Sequence, residues 1–320
     1  MSTQRRRASD SPKAAYLFPG QGTQYVGMGK QLSEQSAVAR EVFQQVDEAL
    51  GIPLSQVMFE GPQEELTKTI NAQPAIMAVS LACLKTMAET LGPDDAPRPS
   101  FVAGHSLGEY TALVAANVVG ISDAVRLVRE RGRLMQQASE MRIGGMVAVL
   151  GLDELTLEEV CRETGATISN VNADDQVVIA GDRVALARAM DLAALRGAKR
   201  LIRLQVSGAF HTPLMQSAAD GMADVLGSVE FQDPQIPVVA NCTGHPLKTA
   251  DAIKEELVHQ ISGCVQWQRS VLYMTGAGVT DFYEIGPGRV LTAMMKRINA
   301  DARVTGMSDR SLLAAQVMAL

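Results

Sequence analysis

The sequence predicts an α/β protein built on a mostly parallel sheet, with a second, smaller domain inserted into the first. Three observations carry that reading. Short apolar runs bounded by glycine and proline alternate with longer stretches of helical periodicity in the first 143 residues. Between about 144 and 206 the order changes to strand, helix, strand, strand, helix, strand, which is the ferredoxin-like split unit. The strand and helix alternation then resumes, so the middle segment reads as an insertion.

Taken in order, "AAYLF" (14–18) is a buried strand that runs into a glycine-rich turn, "PGQGTQYVGMG". Helical periodicity covers about 30–50 and roughly 72–91. The stretch "GPDDAPRPS" (92–100) is a loop by its proline, glycine and aspartate content. "FVAG" (101–104) is a short strand, followed by helices at about 107–117 and 122–141. The inserted unit reads as strand "MVAVLGL", helix "TLEEVCRE", strands "ATISNVN" and "QVVIAG", helix "RVALARAMDLAAL" and strand "KRLIRLQV". "IPVVAN" (236–241) and "DFYEIG" (281–286) are two further strands, with helices around 250–261 and 267–276. The domain boundaries follow: a leader at 1–13, a large domain at 14–143 and 207–320, and a small domain at 144–206. No internal repeat or low-complexity tract is visible.

Composition excludes several classes of function. Hydrophobic residues make up 47% of the 320, yet no run approaches the ~20 apolar residues that a bilayer requires. The leader "MSTQRRRASDSPK" is basic and polar, with no apolar segment of signal-peptide type behind it. It reads as disordered, and the location expected is cytoplasmic. A net charge of −6 leaves no nucleic-acid footprint. Cys83, Cys161, Cys242 and Cys264 lack metal spacing and read as reduced thiols, so no metal site is expected. "NCT" at 241–243 matches a glycosylation sequon, by chance in a chain without a secretion signal.

"GHSLGEY" (104–110) places Ser106 in a G-x-S-x-G turn between a strand and a helix. Such a turn is tight, and glycines are needed where a side chain would collide with neighbouring elements. It presents the hydroxyl above the sheet, where the new helix aims its N–H groups and dipole. A helix N-cap would also put a serine there; the strand-then-helix context favours the nucleophile. A serine nucleophile needs a base. His105 adjoins the serine with its side chain turned away, His245 belongs to a turn, and His259 lies on a helix. His211, in "VSGAFHTPLM", falls at the exit of the small domain, where a hinge can bring it over the mouth of the sheet.

The blocks "FPGQGTQYVGMG", "GHSLGEY", "RERGRLMQ", "NVNADDQVVIAG", "GAFHTPLM", "LVHQISGCVQW" and "EIGPGRVLTAMMKRI" occur in this order from about residue 15 onward. Together they resemble the malonyl-CoA:acyl-carrier-protein acyltransferases of fatty-acid and polyketide synthesis. The resemblance implies a hydrolase-like large domain and a ferredoxin-like small one. It makes Ser106 the acylated nucleophile and His211 its general base, then its acid. Backbone N–H groups of Gln21 and Leu107 would form the oxyanion hole, and the backbone carbonyl of Gln260 would orient the histidine. Arg131 would grip the free carboxylate of malonate, for which a guanidinium offers a planar two-donor fork. Phe210 would crowd an α-methyl branch, Met135 would line the same acyl pocket, and Asn170 and Asn172 would border the cleft. Two features depart from the family pattern: "GAFHTPLM" is closer to polyketide-type sequences, and Cys264 stands where a proline is common.

The activity implied is malonyl transfer from malonyl-CoA to the phosphopantetheine thiol of an acyl carrier protein, by a ping-pong route through a malonyl-serine ester. No cofactor is implied, malonyl-CoA being the substrate. Arg196, Lys199, Arg200 and Arg203 are candidates for a patch that meets the acidic carrier protein. Two alternatives use the same residues differently: a thioester hydrolase that edits carrier proteins through Ser106 and His211, and a catalytically dead scaffold. Arg131 speaks against the first and the intact triplet of side chains against the second.

Overall fold

The computed structural model describes residues 13–309 and 311, so the leader assigned to 1–13 lies, Lys13 apart, outside the described residues. The chain opens with β1 (Lys13–Phe18), then α1 (Lys30–Gln35), α2 (Ala37–Leu50), α3 (Leu54–Glu60), α4 (Gln63–Thr67) and the long α5 (Thr69–Asp95). β2 (Pro99–Gly104), α6 (Gly108–Ala115) and α7 (Ile121–Met141) follow. The inserted unit comprises β3 (Gly144–Leu150), α8 (Glu154–Thr164), β4 (Thr167–Ala173), β5 (Gln176–Asp182), α9 (Arg183–Leu195) and β6 (Arg200–Arg203). The return begins with a 3-10 turn (Pro213–Met215), α10 (Gln216–Gly227), β7 (Val238–Val239) and β8 (Pro246–Leu247). It ends with α11 (Ala250–Ser262), α12 (Trp267–Gly276), β9 (Val279–Ile285), α13 (Val290–Ile298) and β10 (Arg303–Met307).

Two sheets organise these elements. The larger runs β10-β9-β1-β2-β7-β8 and is parallel except at its β7–β8 edge. Its central strand β1 is buried on both faces, as a parallel sheet between helices requires. Tyr16 and Phe18 enter one core with Ile76, Leu107 and Val128, while Ala15 and Leu17 enter another with Ala103, Val239 and Trp267. The smaller sheet is antiparallel in the order β4-β5-β3-β6. Val147 and Val149 of β3 face α8 and α9, packing on Leu157 and Ala189. The alternate residues Met146 and Ala148 turn toward the large domain's core.

The small sheet is tied to the large domain by backbone and by charge. Val171 N–H donates to Val265 O at 2.8 Å, and Val265 N–H donates to Ser169 O at 2.9 Å. Arg297 of α13 pairs with Asp175 in the β4–β5 turn at 2.9 Å.

Several elements differ from the sequence reading. The helix expected over 30–50 is two helices, broken at Ser36, whose extended backbone and hydroxyl cap α2 by accepting from Ala39 N–H. The helix expected over 72–91 starts at Thr69 and continues to Asp95 through a kink at Gly92 (φ 75°), so the loop expected over 92–100 shrinks and β2 begins at Pro99. In "KRLIRLQV" only Arg200–Arg203 pair as strand, and in "IPVVAN" only Val238–Val239. Helices α3, α4, α10 and α13 and strand β10 were not anticipated; most are short or leave the sheet's edge. One helix, over Thr69–Gly92, is long and apolar enough to cross a membrane by length and composition, contrary to the reading that no such run exists. It is packed between α7 and α2, with 61% of its most apolar window buried.

Candidate active site

Parallel pairing of β1 with β2 sets Phe18 beside Gly104, so the loops after both strands meet at one edge of the sheet. That edge, at the carboxyl ends of parallel strands, is where α/β folds gather ligand-binding groups. Glycine is compulsory at two points of the bend. A Cβ on Gly104 would lie 1.9 Å from the Gly108 carbonyl carbon, and one on Gly108 would lie 2.1 Å from Phe18 O. Between them Ser106 adopts φ 53°, a left-handed conformation that costs a serine roughly 1–2 kcal/mol. Strain of this kind persists only where surroundings enforce it. Here Asn241, just beyond β7, accepts Ser106 N–H on Oδ1 at 2.7 Å and donates from Nδ2 to Gly104 O at 2.7 Å.

His211 arrives from the other side, on the segment that leaves the small domain. It is buried and also left-handed, with φ 59°. Its Nε2 is 2.7 Å from Ser106 Oγ, and its Nδ1 is 2.6 Å from the backbone oxygen of Gln260. The carbonyl accepts from Nδ1–H, which leaves Nε2 as the acceptor for the serine proton. Burial, and then the Arg131 charge, hold this imidazole down to about 3. It is therefore neutral, in the form a base needs, throughout the physiological range.

Arg131 projects from the buried face of α7 and is fully buried. Its Nη2 donates to Ser106 Oγ at 3.1 Å and to Gln260 Oε1 at 2.6 Å, and its Nη1 donates to Gln73 Oε1 at 2.7 Å. Its guanidinium carbon lies 5.5 Å from the centre of the Tyr110 ring. Among the described residues no carboxylate stands within ion-pair distance of it. Burial pulls it below the ordinary guanidinium range. Neutral amides thus hold a buried charge in place with no carboxylate paired directly to it, Glu109 acting on it only through space, so an incoming anion meets a strong, preformed attraction.

Gln21 and Leu107 lie where the two loops touch; a Cβ on Gly20 would be 2.5 Å from His105 O. Their backbone N–H groups find no acceptor among the described residues. The surrounding cavity measures about 290 Å³. Ser106, Arg131 and His211 form its polar end, while Met146, Val178, Leu204 and Met294 give it an apolar wall between small sheet and α13. Met135, Phe210, Asn170 and Asn172 line it as well.

The other candidates do not meet Ser106, although His105 lines the same cavity. His105 does turn away from Ser106: its Nε2 is 3.0 Å from Asn172 Oδ1, and its ring lies 5.6 Å from Trp267. His245 bonds Thr243 O within its own turn, and His259 lies in the last turn of α11. Of the basic patch, Arg196 is paired with Glu159 and Glu163 at 3.0 Å, so it offers no free charge; Arg200 and Arg203 are exposed on β6. Among the described residues no group of three His, Cys, Asp or Glu could hold a metal ion.

Four features of the site escaped the sequence reading: the side chain of Gln260, Gln73, Asn241 and the buried acid Glu109. Glu109 Oε1 accepts Asn241 N–H at 2.9 Å and Oε2 accepts from Gln260 Nε2 at 2.7 Å. Burial and the neighbouring Glu256 push its carboxyl well above the usual range, and the two hydrogen bonds act in the opposite sense. An available signal was the presence of one acid in the otherwise uncharged helix "GEYTALVA". Asn241, the asparagine of the "NCT" match, is 1% exposed, and its side chain is engaged by the serine bend.

The acyl transferase domain family matches residues 15–314. The malonyl CoA-acyl carrier protein transacylase of Bacillus subtilis is 41% identical over 313 residues, which span 96% of this chain and 97% of that protein. The crystal structure of an acyl-carrier-protein S-malonyltransferase from Bartonella henselae superposes with a TM-score of 0.89 at 42% identity, covering 96% of this chain and 99% of the other. A malonyl-transacylase solved in complex with its type II polyketide acyl carrier protein superposes with a TM-score of 0.90 at 40% identity, over 96% and 100% of the two chains.

Proposed function

The chain belongs to the acyl transferase domain family, and from that premise we propose that it moves malonyl from malonyl-CoA to the phosphopantetheine thiol of an acyl carrier protein in the cytoplasm. The observation that carries the reading is the buried guanidinium of Arg131, without a directly paired carboxylate, placed 3.1 Å from the Ser106 hydroxyl. It fits an acyl group that ends in a carboxylate. His211 takes the proton of Ser106 as the oxygen attacks the thioester carbonyl, and the N–H groups of Gln21 and Leu107 receive the developing oxyanion. The thiolate of CoA leaves with a proton from His211. The carrier thiol then attacks the malonyl ester, giving its proton to His211, and Ser106 is released by reprotonation. The scheme uses no cofactor.

The test is the mass of a phosphopantetheinylated carrier protein incubated with the enzyme and malonyl-CoA. A gain of about 86 Da, the difference between malonyl and hydrogen, is expected on the carrier. Free malonate released without carrier charging would return the editing hydrolase. The malonyl transacylase relatives give that alternative no support.

The acid limb of catalysis follows from His211. Because burial and Arg131 hold its pKa near 3, the free enzyme keeps a neutral base as the pH falls. kcat/KM for self-acylation, which reports the free enzyme, is expected to stay flat from pH 7 to pH 5. An imidazole titrating at the ordinary ~6.5 would lose about 25-fold over that interval, and such a loss would remove the buried-base assignment. The acyl pocket gives a second expectation. Phe210 is 5% exposed and lines the cavity, so Phe210→Ser should raise methylmalonyl-CoA use about tenfold relative to malonyl-CoA, the scale of one methyl in an apolar pocket. Competition between the two thioesters measures it.

A further inference from the structure

Glu109 is a carboxylic acid at 1% exposure on the first turn of α6, and the acyl-transfer scheme gives it no task. Burial of an acid is less favourable than burial of a neutral group of the same size, so packing alone does not explain it. Its two oxygens face one donor each: Asn241 N–H and the side-chain amide of Gln260. Both partners are committed on their other sides. Asn241 Oδ1 holds the N–H of Ser106. Gln260 directs its second Nε2 hydrogen to Ser106 O at 2.8 Å and its Oε1 to Arg131 Nη2 at 2.6 Å.

An amide side chain is nearly symmetric in shape, and only its partners decide which end carries the oxygen. For Gln260 the decision matters. Oxygen toward Arg131 accepts from the guanidinium, whereas NH2 there would repel it. Two acceptors, Ser106 O and Glu109 Oε2, keep the NH2 on the inner side. Only the second of these is a side chain that can be changed.

We propose that Glu109 is a positioning residue that sets acyl selectivity by orienting the Gln260 side-chain amide, which in turn fixes the Arg131 guanidinium where the malonyl carboxylate binds. The inference rests on the malonyl-transfer reading given above. In Glu109→Gln the new side chain has one oxygen for two donors. If that oxygen stays on Asn241, its NH2 meets the NH2 of Gln260, which escapes by turning its own amide over and facing Arg131 with hydrogens.

The experiment compares self-acylation of wild type, Glu109→Gln, Gln260→Leu and the double variant with malonyl-CoA and acetyl-CoA, following kcat and KM separately. Gln260→Leu keeps the backbone carbonyl that serves His211. For Glu109→Gln the malonyl-to-acetyl ratio of kcat/KM is expected to fall about tenfold, mainly through the malonyl KM, the size expected when one buried hydrogen bond to a charge is lost. Gln260→Leu should give a similar fall, and the double variant no further one, because both act on one linkage. An unchanged ratio in Glu109→Gln, an equal loss for both acyl groups, or an additive fall in the double variant would overturn the proposal. Should Glu109→Gln not fold, Gln260→Leu decides alone: an unchanged ratio overturns it. Wild-type carrier charging, measured alongside, separates the two readings. If wild type fails to charge the carrier, the functional reading falls; if it charges and the variants keep its selectivity, only this inference does.

Discussion

Replacing Ser106 with alanine is expected to lower turnover of malonyl-CoA by about 10⁴- to 10⁶-fold, the range seen when a serine nucleophile is removed from a hydroxyl–imidazole pair. The structure explains why the loss should be chemical and not a failure to fold. The bend is enforced by backbone approaches at Gly104 and Gly108 and by Asn241, which grips the N–H and not the hydroxyl of residue 106. Alanine keeps the Cβ and therefore neither adds nor removes the strain of φ 53°. What disappears is the oxygen 2.7 Å from His211 Nε2 and 3.1 Å from Arg131 Nη2. Malonyl-CoA affinity should survive, because the guanidinium and the cavity wall remain. Steady-state kinetics with a carrier protein, together with calorimetric binding of malonyl-CoA, checks both halves. Undiminished turnover would mean that the hydroxyl is not acylated.

Arg131→Ala is expected to be nearly as damaging for malonyl-CoA and far less so for acetyl-CoA. Truncating one partner of a buried, hydrogen-bonded charge pair costs about 2–5 kcal/mol, or roughly 30- to 5,000-fold in kcat/KM. The upper part of that range applies here because the guanidinium that would meet the carboxylate is itself fully buried. Arg131→Lys should recover part of the loss, since it restores charge without the planar fork that Gln73 and Gln260 hold. An equal fall for malonyl-CoA and acetyl-CoA would contradict the assignment, because an arginine that only braces the fold has no reason to discriminate between them. The relevant measurement is the ratio of kcat/KM for the two thioesters.

Much of this was legible in the sequence because the decisive residues are tied to backbone form. G-x-S-x-G is readable since glycine is demanded at both flanks by contacts near 2 Å. The inserted unit was readable because its alternating residues serve two different cores, Val147 and Val149 one, Met146 and Ala148 the other. The roles proposed for Gln21, Arg131 and Gln260 came from the family resemblance, not from periodicity. Their placement makes sense only once β1, β2 and α7 converge. What stayed hidden are polar links between residues distant in sequence. Glu109 reaches Gln260 across 151 positions and Asn241 across 132, and no local pattern marks such partners. The split of α1 from α2 at Ser36 was hidden for a different reason: apolar spacing continues across the break, and only the capping serine signals it.

The account depends on Ser106 carrying the acyl group between its two thiol partners. Peptide mapping by mass spectrometry, on enzyme mixed with malonyl-CoA and quenched before any carrier protein is added, tests this directly. The expected result is a malonyl ester on the peptide containing Ser106, and its disappearance when the carrier thiol is supplied. Carrier protein charged at full rate by an enzyme that never shows the ester, or the ester found on another side chain, would contradict it.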